Sequence, residues 1–411
     1  MSKDVKNVPA LRFKGYSDAW EKRELGEIFN VVTDYVANGS FKSLRQRVST
    51  YSNPNFAYMI RLQDASNNWK GPWLYTDQQS YSFLAKTKLH PGDILMSNVG
   101  SVGKFFLVPD LDRPMTLAPN AVLLRSMTYS TYFLFQLLQT SSMTESINEK
   151  TTPGVQQKIN KTDFKKIITN VPTLNESSMV GQMLFLLDNL IAATQRRISA
   201  LEEIKEALSQ YLFVQKWRFR GYSNPWKRVV LGEIADIIGG GTPKTDEPKF
   251  WNGEIDWYAP AEIGSNRYVA GSVRTITSVG LNKSSASILP ANRTILFTSR
   301  AGIGNAAILK KDAATNQGFQ SLVLKDGVDI YFIYSRIPEI KQKAIRIAAG
   351  STFLEISGKK LSQIALLVPE LNEQQKIGAF LKKLDDLVAA NHSKVSRLNL
   401  LKKFLLQGLF I

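Results

Sequence analysis

The stretch that most invites a chemical reading is Gly239-Gly240-Gly241-Thr242-Pro243-Lys244-Thr245, followed shortly by Trp251-Asn252-Gly253-Glu254-Ile255-Asp256-Trp257. A glycine-rich turn ending in Lys-Thr could cradle phosphate. It lacks the G-x-x-x-x-G-K-[ST] spacing that wraps backbone amides around a nucleotide, so it reads as a turn after a strand. Two Glu-x-Lys triplets, Glu203-Ile204-Lys205 and Glu339-Ile340-Lys341, superficially suit a metal-dependent nuclease. Both fall in helical patterns, where a solvated helix face explains them. Cysteine is absent and His90 and His392 are the only histidines, which removes thiolate metal sites and disulfides and nearly excludes zinc enzymes and His-based triads. No carboxylate pair is spaced for glycoside chemistry. The expectation is a chain without catalysis, holding no metal and no cofactor of its own.

What the composition does favour is binding. The net charge is +17 with a pI near 9.7, which predicts a polyanionic partner, nucleic acid first. An acidic membrane surface would want a basic amphipathic helix at a chain end, and the last helix is basic, so that reading keeps a place. No apolar run of about 18 residues occurs and the opening MSKDVKNVPAL has no signal-peptide core, so a cytoplasmic protein is expected. At 411 residues and 44% hydrophobic, the chain exceeds one ordinary core.

The elements that must position any binding surface repeat. Val171–Phe213, beginning VPTLNE, returns 197 residues later as Val368–Phe410, beginning VPELNE. Matching positions include Glu176/Glu373, Gly181/Gly378, Asp188/Asp385, Lys205/Lys402 and Phe213/Phe410. Asn175 and Asn372 are placed as helix N-caps, with Glu in the first turn against the dipole. Apolar residues then recur at heptad spacing: Leu187, Ile191, Ile198, Leu201, Leu208 and Leu212, and Leu384, Val388, Val395, Leu398, Leu405 and Leu409. Thr194 and Asn391 interrupt the seam at one register position, as Lys205 and Lys402 do at another, which suits a role in pairing and register. Some 40 residues of helix make a rod of roughly 60 Å, longer than one domain core needs. Each half also opens with one block, Leu11–Ile28 and Trp217–Ile234, identical at ten of eighteen positions. Between block and helix a skeleton persists. Strand, tight glycine loop and strand are expected around Pro91–Lys104 and Pro290–Asn305, then strands near Pro119–Leu124 and Asn316–Leu322, then short helices over Thr131–Gln139 and Asp329–Arg346. The chain is a tandem duplication of α+β halves.

These residues carry a resemblance. The Gly-Gly-Thr-Pro run, the Trp251–Trp257 segment, Asn316-Gln317-Gly318 and the two Pro-x-Leu-Asn-Glu helix starts resemble the specificity subunits of type I restriction–modification systems, over essentially the whole chain. The first half lacks Gly-Gly-Thr-Pro and has Asn30–Ser40 there. The resemblance implies two mixed α/β target-recognition domains, residues 1–170 and 214–367, separated by two long antiparallel coiled-coil helices, 171–213 and 368–411, in a pseudo-twofold arrangement. Each domain is expected to read one half of a bipartite, asymmetric site in double-stranded DNA, with half-sites one to two helical turns apart, a turn being roughly 34–36 Å. The implied partners are two modification subunits that methylate adenine, and restriction subunits, with S-adenosylmethionine, ATP and magnesium used by the partners. No Asn/Asp-Pro-Pro-Tyr tetrapeptide occurs in this chain, so the methylating centre is expected elsewhere.

Base edges are read by Arg, Lys, Asn, Gln, Ser and Thr, while Lys and Arg on phosphates set register. In the first half these are Arg45, Arg47, Asn98, Ser101, Lys104, Gln156, Gln157 and Lys158. In the second they are Thr242, Lys244, Ser299, Arg300, Asn305, Gln320, Lys359 and Lys360. For any one, a solvated surface residue or a turn-stabilising side chain is the bland explanation. Phe185, Leu186, Phe404 and Leu406, flanking the seam, are positions where a partner subunit could dock, or intramolecular packing. Two other function classes remain: a non-specific nucleic-acid scaffold, marked by steep salt dependence without sequence preference, and a coiled-coil adaptor for proteins.

Overall fold

The computed structural model describes residues 7–152, 157–350 and 354–411. Its contacts divide it into two compact units, one up to Gln195 together with Ser393–Ile411, the other Arg196–His392. Both boundaries fall inside the long helices, Leu174–Phe213 and Leu371–Leu409. Each unit therefore combines the opening of one helix with the close of the other.

Within each unit the two helix segments run antiparallel. In the first, Val180 and Leu184 share a core with Leu409 and Phe410, while Asp188, further along, bonds Lys402. In the second, Ile377 and Leu381 share a core with Leu212, while Asp385 meets Lys205 and His392 meets Glu202. The seam positions are buried or half-buried. Leu187, Ile191, Thr194 and Ile198 are buried, and Leu201, Leu208, Leu384, Val388, Asn391, Val395, Leu398 and Leu405 are half-buried. No helix among the described residues is long and apolar enough to cross a membrane.

The helix starts differ from expectation by two residues. Strands end at Val171 and Val368, and the helices begin at Leu174 and Leu371, so Asn175 and Asn372 lie inside the first turn. Thr173 caps the first helix, its hydroxyl accepting from the Glu176 amide at 3.3 Å, and the Glu370 carbonyl closes the start of the second by accepting from Gln374 N at 3.0 Å.

The duplication extends to the sheets. The first unit has a four-stranded antiparallel sheet in the order 31–34, 122–125, 94–96, 105–107. The second repeats it as 235–239, 320–324, 294–297, 306–309, adding 268–269 in parallel at the edge. A further sheet in each unit contains one parallel pair, Ala57–Ile60 with Met115–Leu117 and Trp251–Tyr258 with Ala313–Thr315. A two-stranded ribbon links each opening block to the strand before its long helix, Glu21–Glu24 with Ile168–Val171 and Lys227–Val230 with Ala365–Val368.

Three devices bind block, domain and helices together, each in two copies. Arg12 donates to both oxygens of Glu176 at 2.8 and 2.7 Å, and Arg218 to both of Glu373 at 3.0 and 2.6 Å. Phe133 packs against Trp20 and Phe410, and Phe332 against Trp226 and Phe213. Asp188 accepts from Tyr132 and Lys402, and Asp385 from Tyr331 and Lys205, so the seam lysines are neutralised where domain and both helices meet. Burial, then the carboxylate beside each, pushes both tyrosine hydroxyls up from their ordinary pKa.

The helix glycines have a packing reason. A Cβ on Gly181 would lie 2.3 Å from Ser130 Oγ and 3.0 Å from Phe133 N; on Gly378, 2.4 Å from Asp329 Oδ1 and 3.0 Å from Phe332 N. In both units the N-terminus of a short helix, Thr131–Leu137 or Ile330–Ser335, sits on the glycine. Alanine gains about 1 kcal/mol of intrinsic helix propensity over glycine. Overpacking costs about 1–3 kcal/mol, and backbone lies behind the mobile side-chain atom. Gly181→Ala and Gly378→Ala are each expected to lower the unfolding temperature; a rise in a thermal melt would show that the short helices move aside.

Candidate nucleic-acid interface

The glycine hairpins are built as spacing predicts, and in both units the segment preceding the long helix folds back onto them. In the first unit Gly100 N donates to Gln157 O at 2.9 Å and Ile159 N to Asn98 O at 3.1 Å. In the second, Ile356 N donates to Ser299 O at 3.0 Å and Ser299 N to Gly318 O at 2.8 Å. Positive φ at Gly100 and Gly103, and at Gly302 and Gly304, shapes the hairpin tips.

The first unit thus assembles Asn98, Ser101, Lys104, Gln157 and Lys158 around one loop. Ser101, Lys104, Gln157 and Lys158 are exposed there. Asn98 is half-buried, and its side-chain oxygen is enclosed with no hydrogen-bond partner among the described residues. Gln156 lies outside the described residues. Arg45 and Arg47 are exposed on another element, helix Phe41–Arg47, whose Leu44 packs with Met59, Leu84 and Ala118. The Arg47 guanidinium sits 5.3 Å from the centre of the Phe83 ring.

The second unit joins most of its nominated residues through a chain of contacts. Thr242 Oγ1 donates to Gln317 Oε1, and Gly318, the next residue, accepts from Ser299 N. Gln320 is half-buried, with its amide against Gly239 and Gly358. Lys359 is exposed on helix Gly358–Ser362 beside it; Lys360 Nζ donates to Ile347 O at 2.9 Å. Arg300 is half-buried and Lys244 exposed. One nomination is corrected. Ser299 is fully buried, held by backbone bonds on both sides, and cannot present its hydroxyl to a base. Asn305 is half-buried against Gly264 and Gly302, where it supports the hairpin.

The glycine run serves packing. A Cβ on Gly240 would fall 2.0 Å from Asn316 O, and one on Gly241 2.4 Å from Ala286 N. Protein backbone, not a ligand, fills the space those glycines leave. The run is tethered to the Trp segment, with Trp257 Nε1 donating to Gly241 O at 2.8 Å and Trp251 Nε1 to Lys244 O at 3.0 Å. Next to this, burial pushes the Asp256 carboxyl up, but Lys311 at 2.7 Å and the Ser272 amide outweigh it and hold the pKa below the ordinary value. Sequence reasoning missed Gln317 and Arg274 as exposed polar groups held in place here; the aromatic spacing Trp251–Trp257 was the available signal.

Of the docking positions, Phe185, Leu186 and Phe404 are exposed, whereas Leu406 packs against the first unit's core.

Residues 17–203 and 223–400 each match the type I restriction modification DNA specificity domain. Among curated relatives, the type I restriction enzyme MjaIX specificity subunit of Methanocaldococcus jannaschii is 35% identical over 40% of this chain and 38% of its own length. The EcoR124I/EcoR124II specificity subunit of Escherichia coli is 31% identical over 56% of this chain and 58% of its own length. The matches therefore span only about two fifths and under three fifths of those two relatives. The putative MjaX specificity subunit of Methanocaldococcus jannaschii is 26% identical over 80% of both chains. The crystal structure of a type I restriction–modification S subunit from M. genitalium superposes with a TM-score of 0.62 at 18% identity, over 98% of this chain and 99% of that one, which shows the fold.

Proposed function

The chain belongs to the type I restriction–modification DNA specificity family, with two copies of its domain, and from that premise we propose that it is the sequence-reading, non-catalytic subunit of such a complex. Each unit reads one half of a bipartite DNA site, and because the loops of the two units differ, the half-sites differ. The observation that carries this is a duplicated frame holding unlike surfaces. Strand order, arginine clamp and aromatic interlock occur in both units. Yet Gly239–Thr245 and the Trp pair have no counterpart in the first half, where Asn30–Ser40 stands and helix Phe41–Arg47 adds its own arginines. A common frame with divergent tips is what two readers of different sequences require. A charge of +17 supports phosphate contact along both.

In this reading the protein acts in the cytoplasm. Two modification subunits bring S-adenosylmethionine and methylate adenine, and restriction subunits bring ATP-driven, magnesium-dependent cleavage. Phe185, Leu186 and Phe404, exposed on the long helices, offer apolar surface to such subunits. The test is long-read methylation sequencing of a methylation-free host that expresses this chain with its modification partner. One gapped, asymmetric N6-methyladenine motif is expected, and exchanging Asn30–Phe164 for the matching stretch of a relative should change only one half. An intact complex that adds no methylation would sink the proposal.

A further inference from the structure

We infer that Arg274 reads a guanine in the half-site served by the second unit, an inference that rests on the proposed function and sharpens it to one residue. Arg274 opens the edge strand Arg274–Ile276 and stands opposite Trp257 in the ladder. Its guanidinium carbon lies 3.6 Å from the centre of the Trp251 ring and 5.6 Å from that of Trp257. The two indoles meet edge to face at 5.1 Å and are 7% and 4% exposed. Each is fixed by its N–H bond to the carbonyl of Lys244 or Gly241. The guanidinium therefore rests on a shelf that does not move.

The other side of Arg274 is open. The residue is exposed, and none of the hydrogen bonds or ion pairs among the described residues engages its guanidinium. The carboxylate one ladder step away, Asp256, is taken by Lys311 at 2.7 Å. Stacking on an aromatic face fixes the plane of an arginine and leaves its planar fork of donors free, so little freedom is lost when the fork binds. An acceptor pair matched to that fork is the O6/N7 edge of guanine, and Arg is its commonest reader. Phosphate oxygens would match too. Exposed Lys244, just before the shelf in sequence, supplies a charge for that task without a set plane.

At the matching ladder position, the described residues of the first unit carry no tryptophan shelf. Met59 pairs with Thr116 where Trp257 pairs with Ala314, and a Tyr58–Trp73–Tyr75 cluster fills the interior nearby. The contact thus belongs to one half-site.

The experiment is the methylome of the full chain with its modification partner, comparing wild type with Arg274→Ala, Arg274→Lys and Arg274→Gln. Loss of guanine preference at one position of one half-site, on the order of 10-fold or more, is expected in all three, with the gap and the other half unchanged. Lysine keeps the charge but not the fork, so it should not rescue. Retention of guanine by Arg274→Lys overturns the inference. So does an unchanged motif methylated uniformly less, the signature of a phosphate contact. If Arg274→Ala unfolds the unit, Lys and Gln, which keep an alkyl stem over the indole, still decide the matter. A wild-type chain that directs no gapped motif instead brings down the recognition reading itself.

Discussion

Arg218→Ala is expected to destabilise the second unit by about 3–5 kcal/mol, because it strands a buried carboxylate. Glu373 is 2% exposed and accepts from Arg218 Nε and Nη2 and from Trp226 Nε1 at 3.2 Å. Removing the arginine leaves one indole N–H to hold a buried charge. For a unit of this size that corresponds to an unfolding temperature lower by on the order of 10 °C. Replacing both partners with apolar side chains of similar size, Arg218→Met with Glu373→Leu, should cost far less, since no charge is then left in the core. A melt in which Arg218→Ala and the double variant fall equally would show that the pair contributes shape and not charge. Arg12 and Glu176, 9% and 1% exposed, repeat the arrangement in the first unit. There Trp20 Nε1 is enclosed with no hydrogen-bond partner among the described residues. The first unit's carboxylate thus has fewer donors, and Arg12→Ala should be at least as damaging.

That pair also shows where the sequence stops being informative. Glu176 and Glu373 are visible as repeat-matched first-turn acids, and the helix dipole explains an acid there. Nothing local says that they are buried, or that their partners lie 164 and 155 residues away. Only the identity of both blocks, Arg12 with Arg218, hints that the blocks and helices co-operate. The long helices, their seam and the glycine hairpins are legible because period and repeat are local signals read twice. Asn175 and Asn372 are not the caps, because the backbone leaves its strand at Val171 and Val368, which puts Thr173 and Glu370, not the more favourable Asn, at the boundary. The binding surface is least legible. Residue type nominates Ser299 and Arg300 alike, but the fold-back of Ile356 and Gly318 buries the first and spares the second. Arg274 carries no motif of its own. Its meaning comes from two tryptophans brought beneath it by an antiparallel pairing across a bulge.

The interlock of the two repeats is testable in one side chain. Phe332 is fully buried and touches Trp226 of the second opening block and Phe213 at the end of the first long helix. Phe213 in turn lies under the Arg336 guanidinium at 4.6 Å. The helix that begins in the first unit is therefore closed off in the core of the second, and Phe410 closes the other helix on Phe133 and Trp20. Phe332→Ala removes a ring from this junction and leaves a cavity lined by two aromatic side chains, at a cost of about 3–5 kcal/mol. Phe332→Leu, nearer in volume, should cost much less. Beyond the lower melting temperature, freeing Phe213 should loosen the last turns of the first long helix, so the amides of Leu208–Phe213 are expected to exchange hydrogen faster than in wild type. Local packing of Phe332 alone would leave that exchange unchanged. Faster exchange would mean that each repeat depends on the other's helix to complete its core.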